Sequence, residues 1–165
     1  MRISRTESLT RGWSGVSSLP QTLFSNKNVA AEFDRWCGLI GQETTFGRFS
    51  LSALEVLRAH FLLADYFQTK KEGIAGVGPR SLHLFHSAVS RQWAGFGGRL
   101  KWESLTDVTA TLFFGIVRNH CFIDANKRTA LLAALYQLRT HGRIPAVSAI
   151  TIVFRHSFNL LVSFG

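Results

Sequence analysis

Acidic side chains are scarce in this chain of 165 residues: 10 Asp and Glu stand against 19 Lys and Arg, a formal charge of +9. Such a balance excludes an acidic, polyanion-like surface and favours anionic partners: nucleic acid, nucleotide phosphates or an acidic protein. Cysteine is scarcer still. Cys37 and Cys121 alone cannot build a disulfide framework, and with no CxxC or Cys/His cluster they give no zinc signature. Long apolar runs are missing as well. The first twenty residues lack the apolar core of a secretory signal, and Ala146–Phe154 falls short of the roughly 20 residues that a membrane span needs. The expectation is a soluble, cytoplasmic protein with no membrane partner.

What is present is a globular composition, 46% hydrophobic and 18% charged, in a length that suits one core. Residues 1–47 are rich in Ser, Thr, Gly and Asn, with Phe33, Trp36, Leu39 and Ile40 at helical spacing, and read as a partly irregular N-terminal extension holding one short helix. From Ser52 the pattern sharpens. Ser52 and Glu55 form a capping-box pair, and Leu54, Leu57, Phe61 and Leu62 predict a helix over about 53–68. Gly73, Gly76, Gly78 and Pro79 then demand a loop or small extended flap.

A second helix is expected from Arg80 to Trp93, ended by Gly95, Gly97 and Gly98, and a third from about Glu103 to Arg118. In the third, Leu105, Val108, Leu112 and Ile116 form a stripe that Phe113 and Phe114 widen, which predicts a central, well-buried helix. A fourth runs over Lys127–His141, with Gly142 placed to end it. Residues 48–143 thus form the expected core. Residues 144–165 make a tail readable as strand or helix.

Chemistry concentrates between the last two helices, in Asn119-His120-Cys121-Phe122-Ile123-Asp124-Ala125-Asn126-Lys127-Arg128-Thr129. A helix starting near Asn126 turns its free N–H groups and the positive end of its dipole into the loop, which makes a seat for phosphate. Ala125 is small enough to let the backbone approach a ligand, and Lys127 and Arg128 add cations beside it. Asp124 is a hard oxygen ligand for a Mg²⁺ bridging nucleotide phosphates. His120 is the nearby group suited to take a proton from an attacking hydroxyl, and Phe122 is expected to turn inward as the loop's anchor. Taken singly, each of these residues is better explained as a helix cap, a loop histidine or a solvated cation. Six fixed identities in nine positions, however, arise by chance on the order of once in a million chains of this length.

These residues resemble the Fic/Doc (Fido) superfamily motif, H-x-F-x-D/E-G/A-N-K/G-R, and His120 through Leu131 look most like the Doc, or death-on-curing, branch. The likeness extends from about Leu51 to Gly142: Gly73–Leu82 is similar to the Doc flap and Leu112–Asn119 to the helix entering the active-site loop. The resemblance implies an all-α, compact helical bundle with a short flap between its first two core helices. It also implies an enzyme that uses ATP and Mg²⁺ to modify a Ser or Thr hydroxyl of a target protein. His120 would be the general base and Asp124 the metal ligand. Ala125, Asn126, Lys127 and Arg128 would meet the phosphates, and the flap Gly73, Ile74, Ala75, Gly76, Val77 and Gly78 would hold the target segment in extended form.

Adenylylating members usually carry Gly where this chain has Lys127, and a second Arg where it has Leu131. The Doc-like pattern therefore favours phosphoryl transfer, with adenylylation (AMP transfer) as the alternative. It further implies elongation factor Tu as target and an antitoxin as partner. From another class stands a catalytically degenerate, basic interaction or nucleic-acid-binding module. Nucleic acid is not the expected partner, because aromatic and basic residues do not interleave as in a single-strand binder. His83 and His86 could form half a metal site, but no third ligand accompanies them in sequence.

Overall fold

A computed structural model describes residues 23–41, 47–71 and 73–143. Five α-helices carry the architecture: α1 (Lys27–Ile40), α2 (Ala53–Thr69), α3 (Leu82–Ser90), α4 (Leu105–Asn119) and α5 (Asn126–Thr140). The expected all-α bundle is what these residues form. The expected tail lies outside the described residues.

Helix α2 starts where its local chemistry says it should. Ser52 Oγ accepts from the Glu55 amide at 3.2 Å, and the Glu55 carboxylate accepts from the Ser52 amide at 2.7 Å, which completes the capping box. Its middle, Val56 to Asp65, is buried without a break, so α2 is the central helix of the bundle. Helix α1 lays Val29, Phe33, Trp36 and Ile40 on it, with Phe33 edge-on to Phe61 at 5.4 Å between ring centres. The Asp65 carboxylate accepts from the Ser25 and Asn26 amides at 2.9 and 2.8 Å and fixes the entry to α1. On the far side α4 and α5 lie together, and α3 packs on α4.

Three expectations need correction. The helix predicted over Arg80–Trp93 begins only at Leu82, capped by Ser81 Oγ, because Arg80 is drawn into an extended segment in which its amide donates to the Cys121 carbonyl at 2.8 Å; Arg91–Trp93 forms a separate 3₁₀ turn. The glycines behind it build a hairpin as well as a stop. Strands β1 (Gly95–Phe96) and β2 (Arg99–Leu100) pair antiparallel across Gly97 and Gly98, whose φ of 59° and 77° are the left-handed values that such a two-residue turn requires. Finally, α4 is not buried all round: Phe113 and Phe114 are exposed, while Val108, Leu112, Gly115 and Ile116 face the core. Gly115 is required there, since a Cβ would lie 2.6 Å from the Ala88 carbonyl oxygen of α3.

Gln92 braces the lower half of the bundle. Its buried amide accepts from the Leu51 N–H and the Gln137 amide and donates to the Leu51 and Val89 carbonyls, all at 3.0–3.1 Å. Among the described residues no helix is long and apolar enough to cross a membrane.

Candidate active site

The loop between α4 and α5 is bounded by two left-handed residues. His120 ends α4 with φ 45° and ψ 48°, and Ala125 precedes α5 with φ 59° and ψ 21°. These two reversals turn the chain sharply out of one helix and into the next, leaving His120 exposed and Cys121 and Phe122 buried. The Phe122 ring is the inward anchor: it is fully buried, edge-on to Phe85 at 5.5 Å and stacked on His60.

Asn126 is placed differently from a side chain reaching for a ligand. Its Oδ1 accepts from the Phe122 N–H and its Nδ2 donates to the Phe122 carbonyl, both at 2.9 Å, so the amide clasps the loop onto the first residue of α5. Because Ala125 has no polar side chain, α5 starts without a side-chain cap. The first-turn amides and the positive end of the dipole are thereby left to the loop. Lys127 is exposed beside them. Arg128 is half-buried with its guanidinium 4.5 Å from the centre of the Phe67 ring and 3.9 Å from Asp124 Oδ1.

Asp124 joins this loop to the flap. Oδ2 accepts from the Ala75 amide at 2.9 Å, and Oδ1 accepts from the amide of Ala125. These backbone donors, that of Ala75 foremost, hold its carboxyl below the usual aspartate range, with Arg128 adding a smaller pull. An ionised, half-exposed carboxylate is what a Mg²⁺ held largely by waters and phosphates needs from a protein. Among the described residues no three His, Cys, Asp or Glu side chains converge, so His83 and His86 gain no third ligand and Asp124 stands as a single carboxylate. The residues present fit a cation shared with a nucleotide and do not form a metal cage.

The flap runs over 73–77 without regular secondary structure and is anchored at its end. An isolated antiparallel bridge pairs Pro79 with Phe122, with the Ile123 amide donating to the Gly78 carbonyl at 3.0 Å. Gly76 lies directly over Ile123: a Cβ there would come within 2.4 Å of the isoleucine Cγ2. Gly78, at φ 93°, sits against Trp36 of α1, where a Cβ would meet the indole nitrogen at 2.7 Å. The structure thus brings His120, Phe122, Asp124 and Ala125 of the loop together with Asn126, Lys127 and Arg128 of the first turn of α5, with Gly73 to Gly78 alongside.

Sequence reasoning missed His60. It lies in the middle of α2, fully buried, and touches the flap, the loop and α5. The available signal was a lone imidazole inside the apolar run Ala59 to Ala64, on the buried face of a helix. Trp36 and Phe67 were likewise read only as packing residues or not singled out.

A helical bundle whose motif loop has this build is the frame of a Fic/Doc-type transferase. The chain belongs to the Fic/DOC family, whose model matches residues 49–138. It is similar to "Protein kinase doc" of Escherichia phage P1, with 34% identity over 85 residues, spanning 40% of this chain and 68% of that protein. No solved structure matches it.

Proposed function

We propose that the chain is a Doc-like transferase that moves the γ-phosphoryl group of ATP to a Ser or Thr hydroxyl of a target protein. The observation that carries this reading is the His120–Arg128 loop, which sets an exposed imidazole, an ionised carboxylate and an uncapped helix start within nine residues. Likeness to a protein named as a kinase supports the choice of phosphoryl over AMP transfer. Lys127 in place of the adenylylating branch's glycine agrees with it.

In this reading His120 accepts the hydroxyl proton as the oxygen attacks the γ-phosphorus, whose bond to the β–γ bridging oxygen breaks to release ADP. The amides of Asn126 and Lys127 and the Arg128 guanidinium bind and orient the phosphates and meet the charge that develops on the transferred group, while Ala125, whose own amide is held by Asp124, contributes only its small size beside them. Asp124 would hold a Mg²⁺, which when bound would neutralise phosphate charge. Phe122 and the Asn126 side chain keep the loop in shape. The flap 73–77 presents its edge to an extended target segment. Elongation factor Tu is the target, and an antitoxin the partner, that the Doc resemblance suggests.

Lysate incubated with ATP labelled separately at the α and γ phosphates tests this. We expect label on protein from γ alone, lost in a folded His120→Ala variant. Transfer from α alone means adenylylation. Absence of transfer, together with salt-sensitive RNA or DNA binding that survives loss of Asp124 and Arg128, means the non-enzymatic module.

A further inference from the structure

The imidazole of His60 is at once fully buried and fully used. Its Nε2 accepts from the Gly78 amide at 3.0 Å, and Nδ1 lies 2.9 Å from Thr129 Oγ1 in the first turn of α5. Since Nε2 is the acceptor, the proton resides on Nδ1 and is donated to the threonine. The ring face lies on Phe122 with centroids 3.9 Å apart and planes 13° from parallel. One side chain therefore touches the root of the flap, the anchor of the motif loop and the helix that begins the phosphate seat.

Packing alone does not require a histidine. Phe or Leu would fill the space but leave the Gly78 amide and the Thr129 hydroxyl without this partner in the interior, where such groups are costly. Gly78 is held from both sides, its N–H by His60 and its carbonyl by Ile123. Three residues further out, Asp124 fixes Ala75. The line of the flap is thus set at its root by α2 and near its crest by the motif loop.

We propose that His60 is a positioning residue for target binding: by tying Gly78 to the face that carries Phe122 and Thr129, it holds the backbone of residues 73–77 in fixed register with the His120–Arg128 loop. The proposal rests on the transferase reading above. Burial supports it by keeping the ring unprotonated and the Nε2 lone pair available.

The two ring nitrogens can be removed one at a time. In His60→Gln the side-chain amide reaches the place of Nε2 and retains an acceptor for Gly78. In His60→Asn it reaches the place of Nδ1 and retains only the donor to Thr129. Hydrogen exchange of the flap amides in the full chain is the first readout. His60→Asn should speed exchange at Gly78 and Ala75 by about tenfold, the worth of one buried hydrogen bond, whereas His60→Gln stays near wild type. Transfer from γ-labelled ATP to lysate protein is the second. His60→Asn should need about tenfold more lysate for half-maximal labelling at unchanged MgATP affinity, and His60→Gln should restore it.

Equal behaviour of the two variants, with lowered stability only, overturns the proposal. So does ¹⁵N NMR of the unaltered chain if it finds the proton on Nε2, a measurement that needs no variant to fold. If the unaltered chain transfers no label, the transferase reading fails, and positioning by His60 stands or falls on flap exchange alone.

Discussion

Acidification should weaken this protein through His60 by an amount that can be worked from its surroundings. Burial, partly offset by the field of Asp124, holds the imidazole pKa down at about 3, against the ordinary 6.5 that the unfolded chain regains. Between those values the unfolded state binds a proton that the native state refuses, so stability is complete above about 6.5 and drains away as pH falls toward about 3. Each pH unit below 6.5 costs about 1.4 kcal/mol, so moving from about pH 7 to about pH 4.5 removes about 2.5 kcal/mol, a large share of a typical total of about 5–15. Carboxyls such as Asp124 and Glu32, whose pKa values are lowered in the folded chain, also lose stabilisation in acid, so wild type must be compared with His60→Gln, where they cancel. Urea unfolding at both pH values gives the four stabilities. We expect the wild type to lose about 2.5 kcal/mol more than the variant across the interval. Parallel losses would refute the claim that this imidazole is buried neutral.

Gly115→Ala should drive α3 and α4 apart, because its Cβ would sit 2.6 Å from the Ala88 oxygen and 2.8 Å from Arg91 Cδ; a drop of about 1–3 kcal/mol is expected, and an unchanged urea midpoint would show that the helices can give way. Phe122→Ala removes a fully buried ring shared by His60 and Phe85 and should cost about 3–5 kcal/mol by the same measurement. Burial pushes the Cys121 thiol up to about 12 and the Cys37 thiol up to about 11. Native protein at neutral pH should therefore react slowly with an aromatic disulfide reagent and release two equivalents only in denaturant; rapid stoichiometric reaction would contradict their placement.

What could be read from the chain follows the range of the forces involved. Helix α2 was bounded correctly because Ser52 and Glu55 act on each other within a single turn. The motif loop was legible because its residues are consecutive and their types are rare together. The hairpin at Gly95–Leu100 was not, since two-residue strands leave no periodicity. Phe113 and Phe114 misled because apolar character alone does not say on which side of a stripe a residue falls, and they lie beyond the line of Val108, Leu112 and Ile116. The Asn126 clasp and the His60 contacts depend on how far the loop folds back and on which residue 18 or 69 positions away arrives there. Side-chain identity carries no record of that.

Ala125 adopts a left-handed backbone that costs an L-residue about 1–2 kcal/mol, and it forgoes the roughly 1 kcal/mol that a Ser or Asp would return by capping. A random library screened for heat resistance alone should therefore accumulate replacements at this codon, glycine first to relax the chain and asparagine next. Comparing their catalytic output would turn one methyl group into a gauge of how much thermal robustness the enzyme gives up to keep its helix open.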